Sequence, residues 1–284
     1  MADFAPQQSV TLADIEITWL PDGGGRGDPL ALYPGSDPTG WSLYRKWLDA
    51  EGLGLAGVGA FAIRMPGQLV LVDAGLGPLR PDLAGIDRLD GGHLPASLEA
   101  AGIAPDAVTD LFFTHLHADS AGGALAADGA SLAFPNARHL VHTAEWDHWQ
   151  AREEPAGPGT ALLTALAPGI QRVAEGDRIA PSLRVVDAFG HTPGHAMLML
   201  EPGGEERLCF LGDLLFGPQQ IEQPTWSVAS DGDPDAARAC RDGLYPELVR
   251  HGTSVAAGRF PGTPFGQIRG LGYGRMWLPR PPAR

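Results

Sequence analysis

The sequence has 284 residues, of which 44% are hydrophobic, and its 34 acidic and 20 basic residues give a net charge of −14. No apolar run reaches the roughly 20 residues of a membrane-spanning helix, and the N-terminal residues lack the blocks of a secretory signal. The negative charge disfavours nucleic acid and anionic lipid surfaces as partners. We therefore expect a soluble, cytoplasmic, single-domain protein over residues 1–284 that acts on a small molecule.

The N-terminal half contains several predicted strands. Residues 10–20 alternate between apolar and polar types and predict one strand. Residues 21–40 are rich in Gly and Pro and predict a long loop, either a lid or a dimer arm, so a homodimer is left open. Apolar segments on both sides of Pro66-Gly67 predict a hairpin. Residues 94–101 predict a helix, and the run TDLFFT at 109–114 predicts a buried strand.

The C-terminal half adds further short strands, at 137–142, 183–188, 197–200, 208–211 and 253–257. A helix is predicted from Thr143, and a longer one over 234–250, capped by Asp233 and broken or kinked at Pro246. Many short strands with helices between them favour two sheets packed face to face with helices outside. A doubly wound parallel sheet is the alternative, and the pattern alone does not separate the two.

Side chains able to bind a metal follow three of these strands. His115, His117 and Asp119 come directly after the 109–114 strand, two residues apart, so extended backbone would point them the same way. His195 lies in the tight turn of the His191-Thr-Pro-Gly-His motif, and Asp213 ends the Phe-Leu-Gly-Asp run. Imidazoles and carboxylates at neighbouring strand ends predict a site for zinc or another first-row metal.

The order of these motifs resembles the metallo-β-lactamase superfamily. The motifs are HxHxD at 115–119, HTPGH at 191–195 and LGD at 211–213, and the likeness extends over about 60–268. It includes the strand 70–75, which ends in Asp-Ala-Gly, and the segment 259–262. The branch that it resembles most contains lactonases and organophosphate hydrolases. The resemblance implies an α+β fold, a four-layer αββα sandwich, with the site at one edge between the sheets.

The resemblance also implies a role for each motif residue. The first metal would be held by three histidines, and two carboxylates would serve the second metal, one of them as a bridge. Two further residues would support a ligand without touching the metal. The three histidines would be His115, His117 and His195. Asp213 would be the bridging carboxylate, and Asp119 would be the other carboxylate of the second metal. Asp73 and His191 would be the two supporting residues.

Two positions depart from the family pattern. Ser120 and Arg259 stand where the family usually has histidine ligands of the second metal. A serine hydroxyl is a poor zinc ligand, and an arginine stays protonated and has no lone pair to donate. We therefore predict one metal ion, zinc, with iron or manganese as alternatives. Arg259 would replace the second charge, pairing with Asp119 or holding an anionic group of the substrate; the alternative is that it turns outward.

These features predict a metal-dependent hydrolase of a lactone, ester, thioester or amide, in which the metal activates water. Asp119 would accept a proton from that water, and Arg259 would hold the substrate carboxylate or the oxyanion. The first alternative is a lyase, cyclase or isomerase on the same fold. The second is a binding protein without catalytic activity.

Overall fold

The computed structural model of the chain describes residues 2–272 and 274–280. Its strands form two sheets. The first sheet consists of β1 (Gln8–Leu12), β2 (Ile15–Gly27), β3 (Gly54–Met65), β4 (Gln68–Val72), β5 (Arg88–Asp90), β6 (Asp110–Phe113), β7 (Arg138–His142) and β8 (Ile170–Val173). The second consists of β9 (Arg178–Ala180), β10 (Leu183–Asp187), β11 (Ala196–Leu200), β12 (Leu208–Phe210), β13 (Ser254–Ala256), β14 (Phe265–Leu271) and β15 (Gly274–Pro279).

The helices lie in the connections between these strands. They are α1 (Pro29–Leu32), α2 (Pro38–Leu43), α3 (Leu94–Ala100), α4 (Ala118–Ala121), α5 (Thr143–Gln150), α6 (Gly159–Leu166), α7 (Gln219–Glu222) and α8 (Pro234–His251). Among the described residues, no helix combines the length and the apolarity needed to cross a membrane.

Strand order determines which chain segments meet at the edge of each sheet. The first sheet runs β1-β2-β3-β4-β6-β7-β8, with β5 paired to β2, and the second runs β15-β14-β13-β12-β11-β10-β9. Strands β4, β6, β7 and β8 are mutually parallel, as are β12 and β13. Parallel neighbours end at the same edge of a sheet, so the residues that follow β4 and β6 lie together, as do those that follow β12 and β13.

Alternate residues of the central strands face different layers. In β6, Phe112 packs in the core between the two sheets, whereas Leu111 and Phe113 pack with residues of α3, α5 and α6. In β11, Leu198 faces the core between the sheets, and Met197 packs with residues of α8. Strands that are covered on both faces must be apolar throughout. The result is the predicted four-layer αββα sandwich, and the doubly wound alternative is wrong.

Two sequence-based predictions near the N-terminus differ from the structure. Residues 10–20 form the hairpin of β1 and β2 rather than one strand, because the chain turns at Ala13, whose φ is 54°. Residues 21–40 were predicted as a loop, yet β2 continues to Gly27, and α1 and α2 follow. A glycine-rich sequence is typical of a loop. Here, however, the backbone of this segment pairs as a strand with β3 on one side and β5 on the other.

Other predicted elements are confirmed. The hairpin around Pro66-Gly67 joins β3 to β4, and the helix predicted over 94–101 is α3. Asp233 caps α8, since its carboxylate accepts a hydrogen bond from the Ala236 N–H. Of the predicted break or kink, the break is wrong, because α8 continues through Pro246 to its end.

A substitution at Leu111 measures how much the apolar layer between the first sheet and its helices contributes to the free energy of unfolding. Its side chain is fully buried, whereas Leu43 is 73% exposed. We expect Leu111→Ala to lower the free energy of unfolding by about 2–5 kcal/mol, because it leaves a cavity in the core. The same change at Leu43 should cost less than about 0.5 kcal/mol. Urea titrations of both variants measure this, and equal effects would contradict the layer assignment.

Candidate metal centre

The site lies where strands of both sheets end at one edge of the sandwich. His115 and His117 follow β6, and His191 lies in the loop between β10 and β11. Asp213 follows β12, and Arg259 follows β13. The Ala196 N–H donates to the Thr114 carbonyl at 2.8 Å, so the end of β6 is bonded directly to the start of β11 in the other sheet. The two sheets thus bring residues far apart in sequence into contact.

Four side chains form a compact cluster at this edge: His115, His117, His191 and Asp213. Their ligand atoms all lie within 4.8 Å of one another, and all four side chains are buried. His115 Nε2 and His191 Nε2 lie 3.4 and 3.3 Å from Asp213 Oδ2. His117 Nδ1 lies 3.0 Å from His191 Nε2. Three imidazoles and a carboxylate therefore face a common centre.

These residues fit a bound metal ion. Ligand atoms about 2.0 Å from a tetrahedral zinc lie about 3.3 Å from one another, which is close to the three distances of 3.0–3.4 Å just given. His115 Nε2 is buried and has no hydrogen-bond partner among the described residues. A buried polar atom without a partner is costly. A cation at the centre would satisfy this nitrogen and the facing nitrogens of His117 and His191.

His195 does not lie in the cluster, contrary to the sequence-based assignment. Its Nδ1 donates to the Ala188 carbonyl at 3.0 Å, and its Nε2 accepts the Asp213 N–H at 2.9 Å. With both ring nitrogens bonded to backbone, the imidazole has no free lone pair for a metal. A Cβ at Gly212 would lie 2.5 Å from this Nε2, so the close approach requires glycine before Asp213. His195 positions Asp213, and His191 occupies the place assigned to His195.

Asp231 holds the His191 ring, and the sequence analysis missed it. His191 Nδ1 lies 3.1 Å from Asp231 Oδ1, so Nδ1 carries the proton and Nε2 faces the cluster. Asp231 is itself buried beside Arg241, at 3.6 Å. Burial opposes the charged imidazole, yet hydrogen bonds to Asp213 and Asp231 raise the pKa of His191 to about 9, so a metal ion would have to displace a proton from Nε2. Nothing in the local sequence links Asp231 to a residue 40 positions earlier.

Asp73 acts on His115 through an intermediate residue. The Thr114 hydroxyl donates to Asp73 Oδ2 at 2.9 Å and accepts from His115 Nδ1 at 3.0 Å. His115 Nε2 is therefore left unprotonated toward the cluster. Burial raises the pKa of Asp73 to about 7. Asp73 reaches the His115 ring only through Thr114, which is the residue that contacts it.

Arg259 points into the site and binds the groups next to the cluster. Its Nε and one terminal nitrogen bind both oxygens of Asp213, each at 2.7 Å. The other terminal nitrogen contacts Asp119 Oδ2 at 2.5 Å and the Gly57 carbonyl at 3.2 Å. The Ser120 hydroxyl accepts a fifth contact at 3.2 Å. The alternative that Arg259 turns outward is therefore wrong.

The five N–H groups of Arg259 match these five protein acceptors. The predicted role in gripping the substrate is corrected accordingly, because the guanidinium has no donor left for it. Asp119 contacts Arg259 and lies outside the four-residue cluster.

Burial alone would raise the pKa of Asp213, but Arg259 and His115 hold it well below its usual range. Burial would lower the pKa of Arg259, and its two carboxylate partners raise it instead.

A cleft of about 730 Å³ reaches the cluster from the side of His117 and His191. Its apolar wall includes Trp149 and Phe189. The space beside Arg259 and Asp119 is narrow, about 20 Å³. The histidine side of the site thus has room for a small molecule, and the arginine side has room for little more than water.

The family model described as metallo-beta-lactamase superfamily matches residues 54–249. The N-acyl homoserine lactonase of Bacillus cereus is 30% identical over 106 residues, which are 37% of each chain. The chain thus spans well under half the length of this curated relative.

Two solved structures share the fold. One is AidC, described as a dizinc quorum-quenching lactonase, with a TM-score of 0.85, 22% identity, and coverage of 99% of this chain and 100% of the other. The other is the hydrolase AbOPH of the beta lactamase superfamily, with a TM-score of 0.86, 24% identity and the same coverage. The matched family model covers more than half of the chain and shows that the chain belongs to the metallo-β-lactamase superfamily.

Proposed function

We propose that this protein hydrolyses an uncharged lactone or related ester with one metal ion, zinc, held by His115, His117, His191 and Asp213. The observation that carries the proposal is the spacing of these four ligand atoms around a centre that the unpartnered His115 Nε2 faces. With four protein ligands, the ion would have to accept a fifth ligand; when bound in this way it would polarise a carbonyl group or acidify water.

A single ion is proposed because Arg259 fills the neighbouring position. Its guanidinium contacts Asp119, Asp213 and the Ser120 hydroxyl, which stand at the positions that the resemblance assigns to a second metal. A divalent ion there would be repelled by this fixed positive charge and would have to break both ion pairs. Arg259 therefore neutralises the two carboxylates without a second metal.

Asp119 remains the proposed proton acceptor. Arg259 contacts its Oδ2, and Oδ1 has no hydrogen bond within the described part of the chain. We propose that Oδ1 accepts the proton of the attacking water and that the ion pair with Arg259 holds the carboxylate in place. Arg259 is thus a positioning residue for Asp119 and Asp213.

The cleft supports an uncharged substrate. Aromatic residues contribute to its wall, whereas its charged lining consists of three carboxylates, those of Asp82, Glu154 and Asp233, and the guanidinium of Arg152. Ligand sites that are mainly apolar with a few polar groups suit neutral organic molecules. The acidic lining would also repel the carboxylate that hydrolysis produces. Because the curated relatives are N-acyl homoserine lactonases, an N-acyl lactone is the first substrate to test.

Labelled water distinguishes hydrolysis from the alternative chemistry. We expect the zinc-loaded protein in ¹⁸O water to open an N-acyl lactone with one labelled oxygen in the product carboxylate, measured by mass spectrometry. A lyase, cyclase or isomerase would convert its substrate without label. Protein freed of metal by a chelator is the control and should be inactive until zinc is returned. Turnover of the lactone with no label in the product would contradict the proposal.

Metal content tests the role of Arg259. We expect dialysed wild-type protein to retain one zinc per chain by elemental analysis. The double variant Ser120→His, Arg259→His should retain two, because it supplies lone pairs and removes the opposing charge. Ser120→His alone, which keeps the guanidinium, should retain one. Two tightly bound ions in the wild type, or one in the double variant, would contradict the assignment of these positions.

Asp231 is expected to govern metal affinity through His191. A carboxylate that holds a ligand histidine typically contributes 10–100-fold to metal affinity. Asp231→Asn should therefore weaken zinc binding by about 10–100-fold, measured by competition with a chromophoric chelator. Asp235→Asn, a change at an exposed residue in the first turn of α8, serves as the control and should leave affinity unchanged. Equal affinities for the two variants would refute a role of Asp231 at the metal.

A further inference from the structure

Glu145 is a buried carboxylate that belongs to none of the sequence motifs. It lies in the first turn of α5, and its side chain is fully buried. Its Oε1 accepts the Leu116 N–H at 2.8 Å and the Trp149 indole N–H at 2.6 Å. Its Oε2 accepts the Thr192 hydroxyl at 2.6 Å and the Gly194 N–H at 3.1 Å. One side chain thus receives four hydrogen bonds.

Three of the four partners of Glu145 lie in the two loops that carry the imidazoles of the cluster. Leu116 stands between His115 and His117, and Thr192 directly follows His191. These loops leave strands of different sheets, β6 and β10. The carboxylate of Glu145 therefore joins the two loops at the point where His117 and His191 face each other, with Nδ1 and Nε2 3.0 Å apart.

Close packing reinforces this link. A Cβ added at Gly194 would lie 2.0 Å from the Glu145 backbone nitrogen. The loop of His191 therefore lies directly against the start of α5, where only glycine allows the contact. The N-terminal end of the helix also favours a negative charge. The position of the loop relative to α5 is set by both the backbone contact and the side-chain hydrogen bonds.

The hydrogen-bond pattern calls for a carboxylate rather than an amide. All four partners are N–H or O–H donors to Glu145, and an ionised carboxylate only accepts. Glutamine would turn its NH₂ group toward one pair of donors. The Thr192 hydroxyl can rotate to accept from that group, but the Gly194 N–H would lose its acceptor. Burying a charged carboxylate is costly unless its hydrogen bonds are complete, and here each oxygen receives two.

We propose that Glu145 is a positioning residue that sets the distance between His117 and His191, and thereby the affinity and geometry of the metal site. It does so without contacting the metal or the substrate. This inference rests on the metal site proposed above. The Glu145 side chain thus aligns two ligand loops that leave different sheets.

The test measures zinc affinity by chelator competition and the absorption spectrum of the cobalt-substituted protein, which reports ligand geometry. We expect Glu145→Gln to weaken zinc binding by about 10–100-fold and to change the cobalt spectrum. Circular dichroism checks that the variant is folded. Glu99→Gln, a change at an exposed residue of α3, is the matched control and should behave as the wild type.

A second pair of variants decides the question if Glu145→Gln fails to fold. Thr192→Val removes one hydroxyl donor to Oε2 at nearly constant size, whereas Thr192→Ser keeps the hydroxyl. We expect weakened zinc binding and an altered cobalt spectrum for valine, and near wild-type values for serine.

The outcomes separate this inference from the proposed function. A folded Glu145→Gln protein, or a Thr192→Val protein, with wild-type zinc affinity and cobalt spectrum would overturn the role of Glu145 and leave the metal site intact. A wild-type protein that binds neither zinc nor cobalt would overturn the proposed function, and this inference with it.

Discussion

The ion pairs of Arg259 determine the electrostatics of the site. Two unit charges about 4 Å apart attract by about 4 kcal/mol at an effective dielectric near 20, and Arg259 contacts two carboxylates at shorter distances. Strands β12 and β13 run parallel, with Phe210 paired to Ala256, so Asp213 and Arg259 leave the sheet side by side. The positive charge is therefore part of the chain, and no chelator can remove it.

This charge divides the site into two unlike halves. On one side, three imidazoles face a centre that the cleft reaches. On the other, the guanidinium has its donors matched and the remaining space is narrow. In our proposal the arginine repels a second ion and confines metal chemistry to the histidine side.

The residues around the cluster show how the protein holds polar groups close together. Separate supports position separate ligands: Thr114 and Asp73 for His115, Asp231 for His191, and His195 for Asp213. The hydrogen bonds to His115 Nδ1 and His191 Nδ1 turn the other nitrogen of each ring toward the centre of the cluster. The hydrogen bond from the Asp213 N–H to His195 likewise fixes the position of Asp213. Because these supports come from different strands and loops, the geometry is over-determined, as a preorganised metal site requires.

The sequence by itself determined where most strands and helices lie and which residue types are available to bind a metal. Apolar strands followed directly by histidine or aspartate, as at His115 and Asp213, indicate both the sheets and the edge where ligands meet, because strand periodicity is a local property. The substitution of Arg259 for a histidine likewise excludes one ligand on chemistry alone. The sequence did not determine that the glycine-rich end of β2 is a strand, because its pairing with β3 and β5 is a non-local interaction.

Only the tertiary structure decided which histidine of the HTPGH motif faces the cluster. His191 and His195 have the same chemistry, and their orientation depends on loop dihedral angles and on which distant partner takes each ring nitrogen. The same holds for Asp231 and Glu145, whose partners include residues far away in sequence, and for Arg259, whose partners come from three distant segments of the chain. Hydrogen bonds between distant residues leave no periodic trace in the chain, so their partners become known only when the two sheets pack together.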